Sequence, residues 1–362
     1  MPTLKRALRM IPGVKLLGTT HGLQRLMLLI GSGIMFLFVL VAIFADSLAP
    51  YALAQRKYQG EFFGKQQPPS ADHILGTTVE GYDVLSRVVY GARTALLVVV
   101  MAVAASIVIG VALGVISGYL GGWLDRILVL IMDAVYAFPS LLLAIVVAIV
   151  ISGGSSSGFG GMMAASLSIT VVFVPRYFRV VRNATLSAKS LPYVEAAKVG
   201  GARPGRIMFG HVLPNVSQSI PVLLTLNASE AILTLASLGF LGFGIEPTSA
   251  AEWGRDLSTA TTSDLTNGIW WTSVYPGLAI VLVVTGVTLI GESLNDVLNP
   301  LLRTRGGATT ADERELEETV LGGGQAELPD AVPAAVGAPA ASAAVQVHDG
   351  DPGLDGPQGG AQ

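Results

Sequence analysis

The sequence contains no cysteine, which excludes disulfides, thiolate metal sites and a cysteine nucleophile. Histidine is nearly as scarce. His21, His73, His211 and His348 are scattered along the chain, so no histidine cluster is available to hold a metal. Charge is the third shortage: 13% of the 362 residues are charged and 51% are hydrophobic, against about a quarter charged in a typical soluble domain. No Walker A loop is present, because "GEFFGKQ" has the wrong glycine spacing and lacks Ser or Thr after Lys65. No HExxH pair or catalytic triad is found either. No catalytic residue, metal or cofactor is therefore assigned to this chain, and nothing in it points to nucleic acid.

Long apolar runs fill the space those absences leave. A bilayer-spanning helix needs about 20 mostly apolar residues, and six segments qualify or nearly so: 26–49, 94–120, 127–151, 162–181, 216–243 and 273–298. The expected fold is all-α and membrane-integral, with six transmembrane helices. Lys5, Arg6, Arg9, Lys15 and Arg25 precede the first run as they would in a secretory signal peptide. The run is too long for a signal h-region and "FADSLAP" offers no A-x-A cleavage site, so it reads as a retained first span.

Charge asymmetry sets the orientation. The first 25 residues carry five Lys/Arg and no acid, and Arg176 to Arg206 carries seven against Glu195 alone. The loop after the fifth span has Glu246, Glu252, Asp256 and Asp264 against Arg255. By the positive-inside rule both termini and the basic insert face the cytoplasm. The chain then divides into a basic N-terminus (1–25), a first transmembrane helix (26–49), an external loop (50–93), a five-helix core (94–303) with a cytoplasmic loop at 183–215, and an acidic tail (304–362). The tail's low hydrophobicity and negative charge predict disorder.

Local chemistry adds detail. "DVLSRVVYGAR" reads as a short amphipathic helix capped by Asp83 and lying before span two. Gly110, Gly114 and Gly118 fall on one face of span two, a spacing that lets two helix backbones approach closely without naming the partner helix. Ionisable groups inside spans are functional hypotheses by default. Asp133 lies two turns from Arg126 and is expected to pair with it. Glu230, with Asn227 and Ser229, lies near the bilayer middle, where it either lines a translocation path or makes helix-packing hydrogen bonds. Glu292 and Asp296 are expected at the cytoplasmic surface.

The most informative stretch is "YVEAAKVGGARPGRIMFGHVLPN", a basic insert between two oily spans. Ser190 is a plausible N-cap, Pro192 suits a first turn, and Gly200–Gly201 supply a stop. Pro204 restarts a helix that should end near Pro214. Two short helices joined at a tight glycine corner are predicted. "EAAKVGG", nine residues, then "HVLP" fits E-A-A-x-x-x-G-x9-I-x-L-P through Glu195, Ala196, Ala197, Gly201, Leu213 and Pro214.

This insert resembles the coupling loop of permease subunits of ABC-type importers. "HILGTTVEGYDVLSR", "MDAVYAFPSLLLAI", "ASLGFLGFGIEP" and "GESLNDVLNP" narrow the resemblance to the C-type subunit of the dipeptide/oligopeptide branch, over roughly residues 20 to 303. The resemblance implies a type I importer bundle with cytoplasmic coupling helices in a multi-pass protein of the bacterial plasma membrane. It further implies partners: a homologous B-type permease, two cytoplasmic ATPases that bind ATP and Mg, an external substrate-binding protein, a peptide substrate and membrane lipid. Glu195 would contact the ATPase, Gly201 would form the corner, and Pro214 the junction into span five. Arg203–Pro204 stands where the branch often has Ser-Asp, which makes Arg203 a candidate partner-specificity contact. Leu235 stands where the branch often has an acid. Other readings remain open at this point: a permease for nickel or another small solute, a proton-coupled secondary transporter, or a scaffold that anchors an ATPase.

Overall fold

The computed structural model describes residues 23–58, 60–153, 158–217, 220–264 and 267–298. The basic residues 1–22, the Asp296 side chain and the acidic tail 304–362 lie outside the described residues. The chain is helical almost throughout: α1 (Leu23–Ile43), α2 (Ala45–Leu48), α3 (Val84–Leu120), α4 (Gly122–Ala137), α5 (Ser140–Ser152) and α6 (Gly158–Ala188). Then follow α7 (Pro192–Val199), α8 (Pro204–Ile207), a π-helical turn Met208–Val212, α9 (Leu213–Val216), α10 (Ile220–Phe240), α11 (Trp253–Ser263) and α12 (Trp271–Leu298). A two-stranded antiparallel ribbon, β1 (Lys57–Tyr58) and β2 (Glu61–Phe62), decorates the loop between α2 and α3.

Among the described residues, five helices are long and apolar enough to cross a membrane: α1, α3, α6, α10 and α12. The run expected as one third span is instead two helices, α4 and α5, bent by 100° at their junction. Pro139 explains the break. It has no N–H to donate, and its ring forces Phe138 out of the helical region to φ −78°, ψ 141°. The pair counts as a sixth crossing only if taken as one broken span.

Helix α3 absorbs the short helix expected before span two. Asp83 caps it, accepting from the Ser86 N–H and Oγ at 2.8 Å each, and no proline interrupts the next 37 residues. At 1.5 Å per residue α3 is roughly 55 Å long, well beyond a hydrocarbon core of about 30 Å. It therefore links the two ends of the bundle. Its first turns meet α11, and its last turns support the segment from α7 to α9.

In a bilayer, contact between helices is driven by close packing rather than by escape from water. Small residues mark the tightest seams. Gly31 of α1 lies against the Gly286 carbonyl of α12, where an added Cβ would stand 2.8 Å from that oxygen. The main core gathers Val98, Ala102, Ile169, Phe173, Tyr177, Leu235 and Leu238 from α3, α6 and α10. A second core of Val111, Val115, Val181, Val194, Ile207 and Val212 fixes the segment from α7 to α9 to the ends of α3 and α6.

Candidate functional site

The basic insert forms two short helices at a glycine corner. Leu191, not Ser190, occupies the N-cap of α7; the Ser190 hydroxyl instead donates to the Ser187 carbonyl at 2.9 Å. Pro192 sits in the first turn. The corner is a Schellman-type stop: the Gly201 N–H bonds the Lys198 carbonyl, the Ala202 N–H bonds the Ala197 carbonyl, and Gly201 adopts φ 74°. An added Cβ at Gly201 would meet nothing within 4 Å, so glycine is needed here for its backbone freedom rather than for space.

One side of this loop is bolted down and the other is bare. Val194 and Ile207 are buried against the bundle, whereas Glu195, Ala196, Lys198, Arg203, Pro204 and Arg206 are exposed and Val199 is 90% exposed. Among the described residues none of these four charged side chains forms a salt bridge. Arg203 takes the N-cap position of α8 without a side-chain capping bond. Leu213 is half-buried and Pro214 exposed. The helix does not stop before Pro214 as expected. The turn widens so that the Leu213 N–H reaches back to the Met208 carbonyl, and the chain stays helical past a residue that cannot donate.

The glycines of α3 face α6. An added Cβ would lie 2.6 Å from Tyr177 Cβ at Gly110, 2.9 Å from the Phe178 carbonyl at Gly114 and 2.8 Å from the Arg182 carbonyl at Gly118. Beside this seam runs a ladder of ion pairs that sequence reading missed. Three arginines at three-residue spacing on α6 each take an acid from another helix. Arg176 holds Glu230 of α10 through both terminal nitrogens. Arg179 holds Asp133 of α4 at 2.7 Å, and Arg182 holds Asp125 of α4 through two 2.6 Å bonds. Ser117 of α3 also donates to Asp125 at 2.5 Å, and Lys189 donates to the Gly118 carbonyl at 3.0 Å. Asp133 thus pairs with Arg179, not Arg126: the nearer residue in sequence loses to one on the adjacent helix. Only the R-x-x-R-x-x-R spacing, set beside lone acids in apolar runs, signalled this ladder.

Asn227 and Glu230 meet at Arg176, and Ser229 parts from them. Glu230 meets Arg176, and the Asn227 Oδ1 lies 3.5 Å from the Arg176 Nη1. Ser229 turns away toward α12, 3.1 Å from the Thr288 hydroxyl. Glu292 is exposed on α12.

The opposite end of α3 carries a buried polar cluster. Asp83 bonds His73 Nδ1 at 2.9 Å, and Arg87 forms an ion pair with Asp256 of α11 at 2.6 Å with both side chains nearly sealed from solvent. Trp253 donates to the Val88 carbonyl and fills the space against Gly91. Glu252 caps α11 by accepting from the Gly254 N–H at 3.1 Å, and its carboxyl is wedged against Gly239 and Gly244. Burial, and next the Asp256 carboxylate, push the Glu252 pKa up from 4.5 to about 8. The folded chain then holds a proton that the unfolded chain releases near pH 4.5. Stability is full below that pH, falls as pH rises toward about 8 and levels off above it. Glu252→Gln should flatten this decline in a series of thermal melts from pH 5 to 9; an unchanged pH slope would assign the decline to other groups.

The family model for the inner membrane component of binding-protein-dependent transport systems matches residues 110–304, and the chain belongs to that family. It is a multi-pass membrane transport permease and not an enzyme. Its relatives place it more finely. The dipeptide transport system permease protein DppC of Escherichia coli K12 is 43% identical over 266 residues, 73% of this chain and 85% of that protein. The protein of the same description from Alkalihalophilus pseudofirmus is 38% identical over 276 residues, 76% and 86% of the two chains. A di/tripeptide transport system permease of Pseudomonas aeruginosa is 35% identical over 275 residues, 74% and 86%. Among solved structures, the MetNI methionine ABC transporter in an inward-facing conformation aligns with a TM-score of 0.46 at 20% identity, covering 59% of this chain and 96% of that one.

Proposed function

We infer that this chain is a permease subunit of an ATP-driven importer of short peptides. It works beside a second, homologous permease, two cytoplasmic ATPases that bind ATP and Mg, and an external binding protein that delivers the peptide. The observation that carries the reading is the loop from Glu195 to Pro214, firmly packed on its inner side and bare, charged and small-featured on its outer side. Glu195, Ala196, Gly201 and Arg203 form the face that enters the ATPase; Ala197, expected on that face, is half-buried against the second core, and Leu213 and Pro214 lie at the junction to α10. Closure of the ATPases then pushes on the ends of α3 and α6 through the second core and shifts the bundle between inward- and outward-facing states. The charge distribution puts this loop and both termini in the cytoplasm, with α11 and the 50–83 loop outside. Glu230 borders the translocation path, with the buried Asn227 behind it. The peptide substrate follows from the descriptions of relatives at 35–43% identity.

Co-purification of the tagged chain from its native membrane, followed by ATPase assays in lipid, tests the reading. A complex with two ATPases, a second permease and peptide-stimulated hydrolysis dependent on the binding protein is expected. A complex whose hydrolysis ignores peptides but responds to nickel or another solute would overturn the substrate, and failure to recover any ATPase would overturn the importer itself.

A further inference from the structure

Two ion pairs in this chain differ in kind. Arg87–Asp256 is sealed, with side chains 3% and 9% exposed, as a structural pair should be. Arg176–Glu230 sits midway along α6 and α10 yet remains open, at 26% and 39%. A half-open pair this deep is expensive to hold if its only task is to join two helices, because each charge loses water without gaining a fully enclosed partner.

The surroundings of Arg176 are shaped to receive something. The elbow at Phe138–Pro139 swings α4 and α5 apart and leaves a cavity of about 240 Å³ lined by Tyr136, Phe138, Ser140, Leu143, Val172 and Arg176. The Phe173 ring lies 4.9 Å beneath the guanidinium and limits where it can go. The Arg176 Nε donates to none of the described residues, so the guanidinium keeps a free donor edge. Pro175 supplies no N–H, which frees the Val171 carbonyl one turn away as an acceptor.

We propose that Arg176 and Glu230 are the two halves of a passing station for zwitterionic cargo: Arg176 takes the C-terminal carboxylate of a free peptide and Glu230 takes its terminal ammonium. The exchange replaces one internal ion pair by two, conserves charge and leaves no group unpaired as the cargo enters. It needs no proton transfer. This rests on the reading of the chain as a peptide permease and adds to it a selection for unblocked peptide ends within the membrane itself.

Absence of cysteine permits a clean test. In the assembled complex in nanodiscs, Ser140→Cys gives the chain a single thiol in the cavity, whose maleimide labelling is followed by mass spectrometry of this subunit. Millimolar dialanine should slow labelling, whereas dialanine amide and N-acetyl-dialanine should need about tenfold more for the same protection, the loss of one charge-assisted contact each. In a background of Arg176→Gln the penalty on the amide should vanish while that on the acetylated peptide stays, and Glu230→Gln should do the reverse. The double variant, which leaves no lone charge in the bundle, should protect equally with all three. A purely structural pair would lower protection by all three peptides together, and that result, or equal protection in the wild-type background, overturns the proposal. Peptide uptake without any protection at Ser140→Cys would overturn it while sparing the importer; loss of both would strike the importer reading itself.

Discussion

Gly201→Asp is expected to cut peptide uptake at least about tenfold while the subunit inserts and assembles normally, a change equivalent to about 1.4 kcal/mol in the coupled step. The reasoning separates backbone from surface. At φ 74° the corner favours glycine, but Asp and Asn visit this region more readily than other residues. Space is no obstacle within the chain, since an added Cβ meets nothing within 4 Å. A carboxylate at the exposed corner therefore harms only a surface that another protein must approach. Gly201→Asn supplies the control: it shares the backbone tolerance and the size without the charge, and should retain more uptake than Asp. Gly201→Val, β-branched and unsuited to positive φ, should instead loosen the loop itself and reduce assembly. Uptake and the yield of intact complex by size exclusion read the two effects separately. Full uptake by the Asp variant would mean that no partner docks on this corner.

Chemistry written in adjacent residues was readable from the sequence, and chemistry between distant ones was not. Asp83 announced the start of α3 because a cap acts on N–H groups two or three residues away. Gly200–Gly201 announced the corner for the same local reason. The apolar runs identified the spanning helices, since lipid imposes length and composition directly. Pro139 was visible too, yet a proline in an apolar run is compatible with a straight, kinked or broken helix; only the packing of α4 and α5 on α6 decides for 100°. Pro214 fooled the local rule, because a π turn re-routes the Leu213 donor and keeps the helix going. Asp133 had one candidate partner along its own helix and another on α6, and sequence distance chose wrongly. The pairing of Glu230 with Arg176 spans 54 residues, and no short-range signal encodes it.

Gly114→Leu should be among the most damaging single changes in the membrane core. Its Cβ would stand 2.9 Å from the Phe178 carbonyl, 3.0 Å from Val181 Cβ and 3.1 Å from the Arg182 N–H nitrogen. Two of these three atoms belong to the α6 backbone and cannot rotate aside, so the helices must separate. Overpacking of this kind costs about 1–3 kcal/mol, and here the cost spreads. Separation also pulls on the Ser117–Asp125–Arg182 link and on the Lys189 bond to the Gly118 carbonyl, which hold the end of α6 that carries the loop. Intact complex should fall by about tenfold or more, and the remainder should melt at lower temperature. Gly114→Ala adds the same Cβ against the α6 backbone but none of the bulk beyond it, and should assemble in reduced amount and show weakened coupling, with ATP hydrolysis falling less than uptake. Gly33→Ala in α1, where nothing lies within 4 Å, should behave as wild type. Should Gly114→Leu assemble and transport normally, the close α3–α6 seam would not be what transmits force from the loop, and the route would have to run through the ion-pair ladder alone.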